Sequence, residues 1–262
     1  MPLPLPDDLS LGRVGLAVRD LDRSLGFYGD HLGLGTLERE PGRAVLGAGP
    51  SPLLELVERR GGERDGTEAG LFHVALRVPD RAALAGILRR LLAAVVPLTG
   101  ASDHIVSEAL YLDDPDGHGL EIYADRPRDG WFQDGKLRLA TLPLDGRDLL
   151  AAAEGPAALP SATVVGHVHL ETHDLAAARG FYVDGLCLEV MATVPQALFL
   201  ARARYHHHLA VNRWNRRQRP AEDRPGRIGI LYYTLLADRT EQLTDPSGLE
   251  VRIEPAGGPA PR

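Results

Sequence analysis

The 262-residue chain is poor in cysteine and in basic runs, and these shortages exclude several kinds of protein. Its one cysteine, Cys187, excludes an internal disulfide and a Cys-rich zinc site, and is best interpreted as a small buried hydrophobe. A net charge of −7, without Lys/Arg runs that interleave with aromatics, argues against nucleic-acid binding. No apolar run is long enough to span a membrane, and the start Met-Pro-Leu-Pro-Leu-Pro lacks signal-peptide features, so we expect a cytoplasmic protein.

What the sequence does contain is an internal repeat. Residues 11–21 and 165–175 both read as an alternating strand that ends at an Asp, Asp20 or Asp174, able to cap a following helix. The helices match as well, because each carries Phe-Tyr and then a Gly-Leu stop. The offset is 154 residues for both the aspartates (174 minus 20) and the phenylalanines (181 minus 27). A shared offset of this kind indicates a duplication.

Two further copies follow the first and third units. Residues 72–80 form a strand that leads to an Asp and then to an apolar helix from Arg81 to about Val95. The fourth copy starts at Ile228 and repeats the Asp-Pro-x-Gly turn of the second copy, but far fewer residues precede that turn. We therefore expect the fourth copy to lack its helix and one or two strands.

Each full unit reads as a strand, a helix and three strands, with an apolar sheet face that it cannot bury alone. The predicted fold is α+β, with four tandem βαβββ modules, the last truncated, that form paired curved mixed sheets. We predict an N-terminal domain at residues 1–125 (modules 1 and 2), a linker at 126–162 and a C-terminal domain at 163–262 (modules 3 and 4). The linker is rich in Asp, Gly and Pro, with one short helical patch at 149–154.

Two histidines occupy the same position in two repeats, His73 in module 2 and His167 in module 3. A lone strand histidine is usually structural or solvated. If equivalent first strands lie side by side about a pseudo-twofold axis, however, both imidazoles converge on one point. Glu121, on the closing strand of module 2, can then add a carboxylate. Two His and one carboxylate with open positions is the facial arrangement of Fe(II) oxygenases, and Zn(II), Ni(II) and Mn(II) accept similar ligands.

Other polar residues could act beside such a metal. The run His206-His207-His208 is predicted on the last strand of module 3, where alternation turns His207 away from its two neighbours. Histidine is a common acid–base group near neutral pH, although a polar strand end at the surface is the simpler alternative. His104 and Tyr111 precede Glu121 by 17 and 10 residues, and Tyr111 alone would be an ordinary strand aromatic.

With these motifs the chain resembles the vicinal oxygen chelate superfamily (glyoxalase, bleomycin resistance and extradiol dioxygenase proteins), and most closely its two-domain catechol-2,3-dioxygenase-like members. The strand–Asp-Leu–helix–Phe-Tyr openings carry this resemblance over nearly the whole chain, and the segment 104–121 is its more specific part. The resemblance implies metal ligands at His73, His167 and Glu121, an acid–base histidine at His207, and a substrate-contacting pair at His104 and Tyr111.

The sequence departs from those dioxygenases in where the set lies. They carry the whole set in modules 3 and 4, whereas this module 4 has Tyr232 or Tyr233 at the second ligand position and Arg252 at the carboxylate position. Module 1 has Arg13 at its ligand position. We therefore predict a site built across modules 2 and 3, either by cross-pairing within one chain or across a homodimer interface. Glu250 is a rival carboxylate, but its strand face opposes that of Arg252.

The resemblance implies an extradiol-type dioxygenase that cleaves a catechol-like aromatic diol with O₂ at a non-haem Fe(II), or Mn(II), in aromatic compound catabolism. The alternatives are a metal-dependent glyoxalase-type isomerase or lyase, a bleomycin-resistance-like binding protein without catalysis, and a purely structural relative. Six arginines also cluster between residues 202 and 219. A solvated loop is the default interpretation of this cluster, and an entrance for an anionic substrate is the alternative.

Overall fold

The computed structural model describes residues 2–154 and 158–256 of the chain. Met1, residues 155–157 of the predicted linker and residues 257–262 of the predicted C-terminal domain lie outside the described residues. Within the described part the fold is α+β, as predicted, with many strands and few helices. No helix there combines the length and the apolar character needed to cross a membrane.

Modules 1 and 2 each contain a strand, a helix and three further strands, as the repeat predicts. The elements of module 1 are β1 (Ser10–Val18), α1 (Leu21–Phe27) with a π-helical turn (Tyr28–Leu32), β2 (Gly35–Glu40), β3 (Arg43–Ala48) and β4 (Ser51–Glu58). The elements of module 2 are β5 (Gly70–Val78), α2 (Arg81–Ala93), β6 (Gly100–Asp103), β7 (Ser107–Asp113) and β8 (Gly119–Asp125).

The second half of the chain repeats this order after a linker with short elements. Between the halves lie a 3₁₀ turn (Arg128–Gly130), β9 (Phe132–Gln133), β10 (Lys136–Leu137), β11 (Leu142–Pro143) and α3 (Gly146–Ala151). Module 3 has β12 (Val164–Glu171), α4 (Leu175–Arg179) with a π-helical turn (Gly180–Gly185), β13 (Glu189–Val194), β14 (Ala197–Ala201) and β15 (Leu209–Asn212). Module 4 has β16 (Gly229–Leu236), β17 (Glu241–Thr244) and β18 (Glu250–Glu254). Over its described residues it thus lacks a helix and one strand, as predicted.

The repeated aspartates cap the helices that follow them. Asp20 accepts a hydrogen bond from the backbone N–H of Arg23, and Asp80 accepts one from Ala83. Asp174 caps α4 in the same way. Each carboxylate satisfies an N–H that the first helical turn leaves without a partner, so the strand-to-helix junction is fixed locally in all three full modules.

The Phe-Tyr and Asp-Pro-x-Gly motifs contact each other across modules. The Tyr28 hydroxyl donates a hydrogen bond to Asp114 Oδ2 (3.0 Å), and the Tyr182 hydroxyl donates to Asp245 Oδ2 (2.6 Å). In both turns the second carboxylate oxygen accepts backbone N–H groups of the turn itself. The helix of one module is therefore tied to the closing turn of the next, in both halves of the chain.

Strands from both halves of the chain form each of the two large sheets. The nine-stranded sheet has the order β11-β6-β7-β8-β5-β12-β15-β14-β13, and the seven-stranded sheet has the order β17-β18-β16-β1-β4-β3-β2. The first strands of modules 2 and 3, β5 and β12, are antiparallel neighbours, and so are β1 and β16 of modules 1 and 4. Module 2 thus pairs with module 3 within one chain, and a buried apolar cluster joins residues of both sheets. The domain boundaries at residues 125 and 163 stay a prediction.

Most of the arginine cluster takes part in structural contacts. Arg217 pairs with the buried Glu171, and Arg219 pairs with Asp65 (2.7 Å) and with the buried Glu68 (2.9 Å). The loop between β15 and β16 is thereby bound to the connection between β4 and β5. Arg202 pairs with a carboxylate near the N-terminus, and Arg204 stacks on a phenylalanine ring of the linker.

Candidate metal centre

Four neighbouring strands of the nine-stranded sheet hold the predicted ligands in one row. Ala75 on β5 lies opposite Glu121 on β8 and opposite His167 on β12. Tyr111 on β7 lies opposite Glu121 on its other side. His73 precedes Ala75 by two residues and so shares its face of the sheet. The pairing of modules 2 and 3 therefore brings these side chains together.

His73, His167 and Glu121 form a tight triangle of metal-ligand atoms. The two Nε2 atoms lie 3.3 Å apart, and Glu121 Oε2 lies 3.0 Å from that of His73 and 3.1 Å from that of His167. A metal about 2.1 Å from three ligands at right angles separates those ligands by about 3.0 Å. The triangle therefore has the dimensions of three facial ligands of one octahedral ion. It is the one group of this kind among the residues that the structure describes.

The electrostatics of the triangle also suit a divalent cation. All three side chains are buried, with exposed fractions of 7%, 3% and 1% for His73, Glu121 and His167. Burial would raise the pKa of Glu121, but its interactions with His167 and then with His73 outweigh this effect and hold the pKa well below its usual value. Burial lowers the pKa of His167 to about 4, against the opposing charge of Glu121. An ionised carboxylate beside an unprotonated imidazole is the form in which these ligands bind a metal.

The predicted substrate-contacting pair is hydrogen-bonded next to the triangle. His104 Nδ1 lies 2.7 Å from the carbonyl oxygen of Ala140, so it carries the proton and donates. Its Nε2 lies 2.7 Å from the Tyr111 hydroxyl, which donates to it. Burial and then the charge of Glu121 raise the pKa of Tyr111 above its ordinary value, so the hydroxyl keeps its proton. Both side chains line the same cavity as His73 and Glu121.

The predicted placement of the histidine run on a strand is wrong. β15 begins only at Leu209, and His206, His207 and His208 precede it in an irregular segment. The reason is the turn before them, where Ala203 and Arg204 adopt φ angles of 49° and 55°, and the side-chain hydrogen bonds that the run makes. All three histidines are buried, so they are not a polar strand end at the surface. His207 lines the cavity of the candidate metal centre, whereas His208 lines a second cavity.

A hydrogen-bonded chain connects His207 to a carboxylate that sequence analysis missed. His206 Nε2 lies 2.9 Å from Asp125 Oδ1, and His206 Nδ1 lies 2.8 Å from His207 Nδ1. Asp125 also accepts hydrogen bonds from Arg77 and Tyr205. Burial would raise the pKa of Asp125, but the hydrogen bond and charge of His206 hold it below its ordinary value. Its position four residues after Glu121 on one strand places the two on the same face, which was the available signal.

The ring of His207 lies against the predicted ligand His167, with 4.1 Å between ring centroids. Burial, followed by the charges of the surrounding histidines, lowers the pKa of His207 well below its ordinary value. His207 is therefore neutral, with one ring nitrogen able to accept a proton. A neutral imidazole at this place can act as an acid–base group.

The cavity over the triangle has a volume of about 460 Å³. Besides the predicted residues it is lined by aromatic side chains, among them Phe72, His169, Phe199 and Trp214. Of these only His169 gave a signal in the sequence, since it lies two residues after His167 on the same strand. Asn212 Nδ2 donates to His169 Nε2 (2.9 Å), which fixes the orientation of that ring.

The equivalent place in the seven-stranded sheet holds an ion pair instead of metal ligands. Arg13 Nε lies 3.3 Å from Glu55 Oε2, and the Tyr232 hydroxyl donates to the same oxygen (2.7 Å). Arg252 lies over the Tyr232 ring, 3.3 Å from its centroid. The rival carboxylate Glu250 pairs with Arg252 in this sheet, away from the histidines. In this half of the molecule, the guanidinium groups of Arg13 and Arg252 thus occupy the place that a metal would take.

Comparisons with known proteins place this geometry in a family. Residues 10–122 match the model of the Glyoxalase/Bleomycin resistance protein/Dioxygenase superfamily. The chain is 38% identical over 248 residues to the catechol-2,3-dioxygenase of Bacillus subtilis (strain 168), which covers 90% of this chain and 86% of that protein.

Solved structures show the same fold at low sequence identity. A proposed dioxygenase from Bacillus subtilis subsp. subtilis str. 168 superposes with a TM-score of 0.62 and 14% identity, over 95% of this chain and 86% of that one. Glyoxalase I from Zea mays superposes with a TM-score of 0.57 and 17% identity, over 94% and 92%. The chain therefore belongs to the glyoxalase/bleomycin resistance protein/dioxygenase superfamily, as an enzyme of the extradiol dioxygenase-like kind.

Proposed function

We propose that this protein is an extradiol ring-cleavage dioxygenase that binds Fe(II), or alternatively Mn(II), through His73, His167 and Glu121. Its substrates are a catechol-like aromatic diol and O₂. The observation that carries the proposal is the buried triangle of two imidazole nitrogens and one carboxylate oxygen, all 3.0–3.3 Å apart. This donor set is the facial triad of non-haem Fe(II) oxygenases, and it opens into a cavity large enough for an aromatic ring.

The metal, when bound, supplies a Lewis acid with open positions for the two diol oxygens and O₂. The rest of the chemistry falls to side chains around it. Tyr111 and His104 line the cavity as a hydrogen-bonded pair. A substrate hydroxyl that replaces one partner of this bond would find a donor at Tyr111 and an acceptor at His104. The pair thereby orients the diol against the three ligands.

His207 takes the proton that a diol releases when it binds as an anion, and returns it later in the cycle. The hydrogen-bonded series from His207 through His206 to Asp125 makes His207 suited to this role. Asp125 accepts a hydrogen bond from His206 Nε2–H. A neutral His206 then has a free lone pair at Nδ1, which accepts a hydrogen bond from His207 Nδ1–H. His207 Nε2 is then left without a proton, in the form of a general base. His206 and Asp125 are positioning residues, since they act through His207.

Apolar and aromatic side chains line much of the remaining wall, where they limit the access of water to reactive oxygen chemistry. One chain contributes all six proposed site residues, so the site needs no partner subunit. Cytoplasmic location and a role in aromatic catabolism stay predictions.

The test is turnover of catechol by protein that has been purified anoxically and loaded with Fe(II). We expect a yellow ring-cleavage product together with oxygen consumption under air, and neither in the Glu121→Gln variant. Less than a tenth of an equivalent of iron or manganese after reconstitution would overturn the proposal. Conversion of an α-keto hemithioacetal at equal rates with and without oxygen would establish the glyoxalase-type alternative in its place.

A further inference from the structure

The cavity over the triangle carries several aromatic rings, and the basic side chains among its described lining residues are histidines. No lysine or arginine is among the described residues that line it. Its acidic lining residues are Asp113 and Glu121. Three of the clustered arginines could have formed an entrance for an anionic substrate, but they pair with carboxylates instead. Arg202 pairs with Asp7, Arg217 with Glu171, and Arg219 with Asp65 and Glu68. An anionic substituent that lies away from the triangle would therefore find no lysine or arginine among the described residues of the cavity wall.

One wall of the cavity is a connected set of rings, which we name the aromatic wall: Phe72, His169, Phe199 and Trp214. The ring of His169 lies 4.8 Å from Phe72, 5.9 Å from Phe199 and 5.2 Å from Trp214, measured between centroids. Phe72 and Trp214 contact each other edge to face at 5.4 Å. Such ring pairs stabilise one another and present flat apolar surface to a ligand.

The indole of Trp214 is held in place although 42% of the residue is exposed. Its Nε1 donates to the carbonyl oxygen of Pro195 (3.2 Å), and its backbone N–H donates to Asn212 Oδ1 (2.9 Å). The polar edge of the indole is thus satisfied within the protein. Its apolar face remains for a ligand that enters the cavity.

The volume exceeds what a single ring needs. A cavity of about 150 Å³ accommodates one benzene molecule, whereas this one measures about 460 Å³. If the diol ring lies at the triangle, space of more than another ring's size remains toward the aromatic wall. An apolar group is the occupant that this wall and the missing cations favour, because burying an unpaired carboxylate is strongly unfavourable.

We infer that the preferred substrate is an uncharged catechol with an apolar substituent about the size of a second ring, which the aromatic wall contacts. The inference rests on the proposed function for the diol, but its selectivity comes from residues that bind no metal. Trp214 and Phe199 determine the substituent that is accepted. Carboxylated catechols are disfavoured because no lysine or arginine is among the described residues that line the cavity, and because Asp113 adds a carboxylate there.

Two measurements test the inference separately from the proposed function. The first is binding to metal-free protein of 4-hydroxybiphenyl and of 4-hydroxybenzoate, neither of which is a diol, by calorimetry. We expect the biphenyl to bind at least about tenfold more tightly, and Trp214→Ala to remove most of that preference. Trp214→Arg should instead strengthen 4-hydroxybenzoate binding about tenfold. Leu92→Arg, on the exposed side of α2 outside the cavity, is the matched control and should change neither affinity.

The second measurement is kcat/KM of the Fe(II)-loaded enzyme for 4-phenylcatechol and for 3,4-dihydroxybenzoate. We expect at least about a tenfold preference for 4-phenylcatechol. Equal turnover of the two diols, or equal binding of the two metal-free probes, would overturn the inference while leaving the dioxygenase proposal intact. Selective binding of the biphenyl probe without turnover of any diol would uphold the inference and overturn the proposed function.

Discussion

The Nδ1 atoms of His206 and His207 lie 2.8 Å apart, a distance at which one nitrogen donates the proton that the other accepts. Which of them donates depends on the far side of His206, where Asp125 accepts from Nε2. A neutral His206 with its proton on Nε2 must accept at Nδ1. The tautomer of His207 is therefore determined by a carboxylate that does not touch the cavity.

Substitution Asp125→Asn should lower kcat by about 10- to 100-fold, the range found when partners of site histidines are removed. The asparagine can donate to His206, which reverses the hydrogen-bond direction and leaves His207 Nε2 protonated at the start of the cycle. Substrate affinity, measured by anoxic titration, should change much less. The exposed Asp129→Asn is the matched control. Equal losses of kcat and affinity, or no loss of kcat, would contradict the positioning role.

The three proposed ligands predict a specific loss of metal. Glu121→Gln and His167→Ala should each retain less than a tenth of an equivalent of iron after anoxic reconstitution, because two remaining ligands cannot hold the facial site. Metal analysis measures this directly. Binding of Mn(II) to the native protein should also raise the free energy of unfolding, by about 2.7 kcal/mol at a metal concentration of a hundred times Kd.

The control for the metal experiment is Glu250→Gln, which removes the rival carboxylate. Glu250 lies in the seven-stranded sheet and pairs with Arg252, so its variant should bind metal as the native protein does. Loss of metal from the Glu250→Gln variant alone would show that the metal binds in the seven-stranded sheet, which contradicts the proposal. Full metal content in both the Glu121→Gln and His167→Ala variants would show that the triangle does not bind the metal.

We expect a substitution at Tyr111 to lower kcat/KM for the substrate without changing the metal content of the protein. Tyr111→Phe removes the hydroxyl that donates to His104, and kcat/KM for catechol should fall about tenfold, as expected for one hydrogen bond to a group that carries charge during the reaction. Metal content should stay at the native value. Tyr232→Phe breaks a comparable bond, to Glu55 in the other sheet, and should leave kcat/KM unchanged. Similar kinetics for both variants would argue against a role for Tyr111 at the substrate.

The sequence was sufficient for those features that depend on local pattern and on repetition. The aspartate caps, the modules and the truncation of module 4 follow from residues close in the chain. The convergence of His73 and His167 followed from their equivalent positions, together with the missing ligands at Arg13 and Arg252. These features need no knowledge of distant contacts.

Other features depend on long-range register and could not be predicted in this way. The pairing of β5 with β12 contains register shifts beside His167 and after His169, and strand alternation does not locate such irregularities. The histidine run lies before β15 because of a turn with left-handed residues. Asp125 and Trp214 come close to the site residues only once modules 2 and 3 have paired, since Asp125 is the last residue of β8 and Trp214 follows β15.

His208 predicts how the stability of the metal-free protein depends on pH. Burial, and then the charge that His206 carries when protonated and the charge of Arg77, lower its pKa to about 3. Its Nδ1 accepts the backbone N–H of Arg202 (3.3 Å). Unfolding restores a pKa near 6.5. Between these two values the unfolded chain binds more protons than the folded one, so the free energy of unfolding falls as the pH falls below about 6.5. Near pH 5 the loss from this one group is about 2 kcal/mol.

Urea unfolding in EDTA at pH 7 and pH 5 measures this contribution. The native protein should lose stability on acidification, and the other buried histidines with lowered pKa values, His167, His169 and His207, act in the same direction. The His208→Asn variant has no group to titrate at this position. Its loss between the two pH values should therefore be smaller than that of the native protein by about 2 kcal/mol, even if it is less stable at pH 7. Parallel curves for the two proteins would show that His208 is protonated equally in the folded and unfolded states.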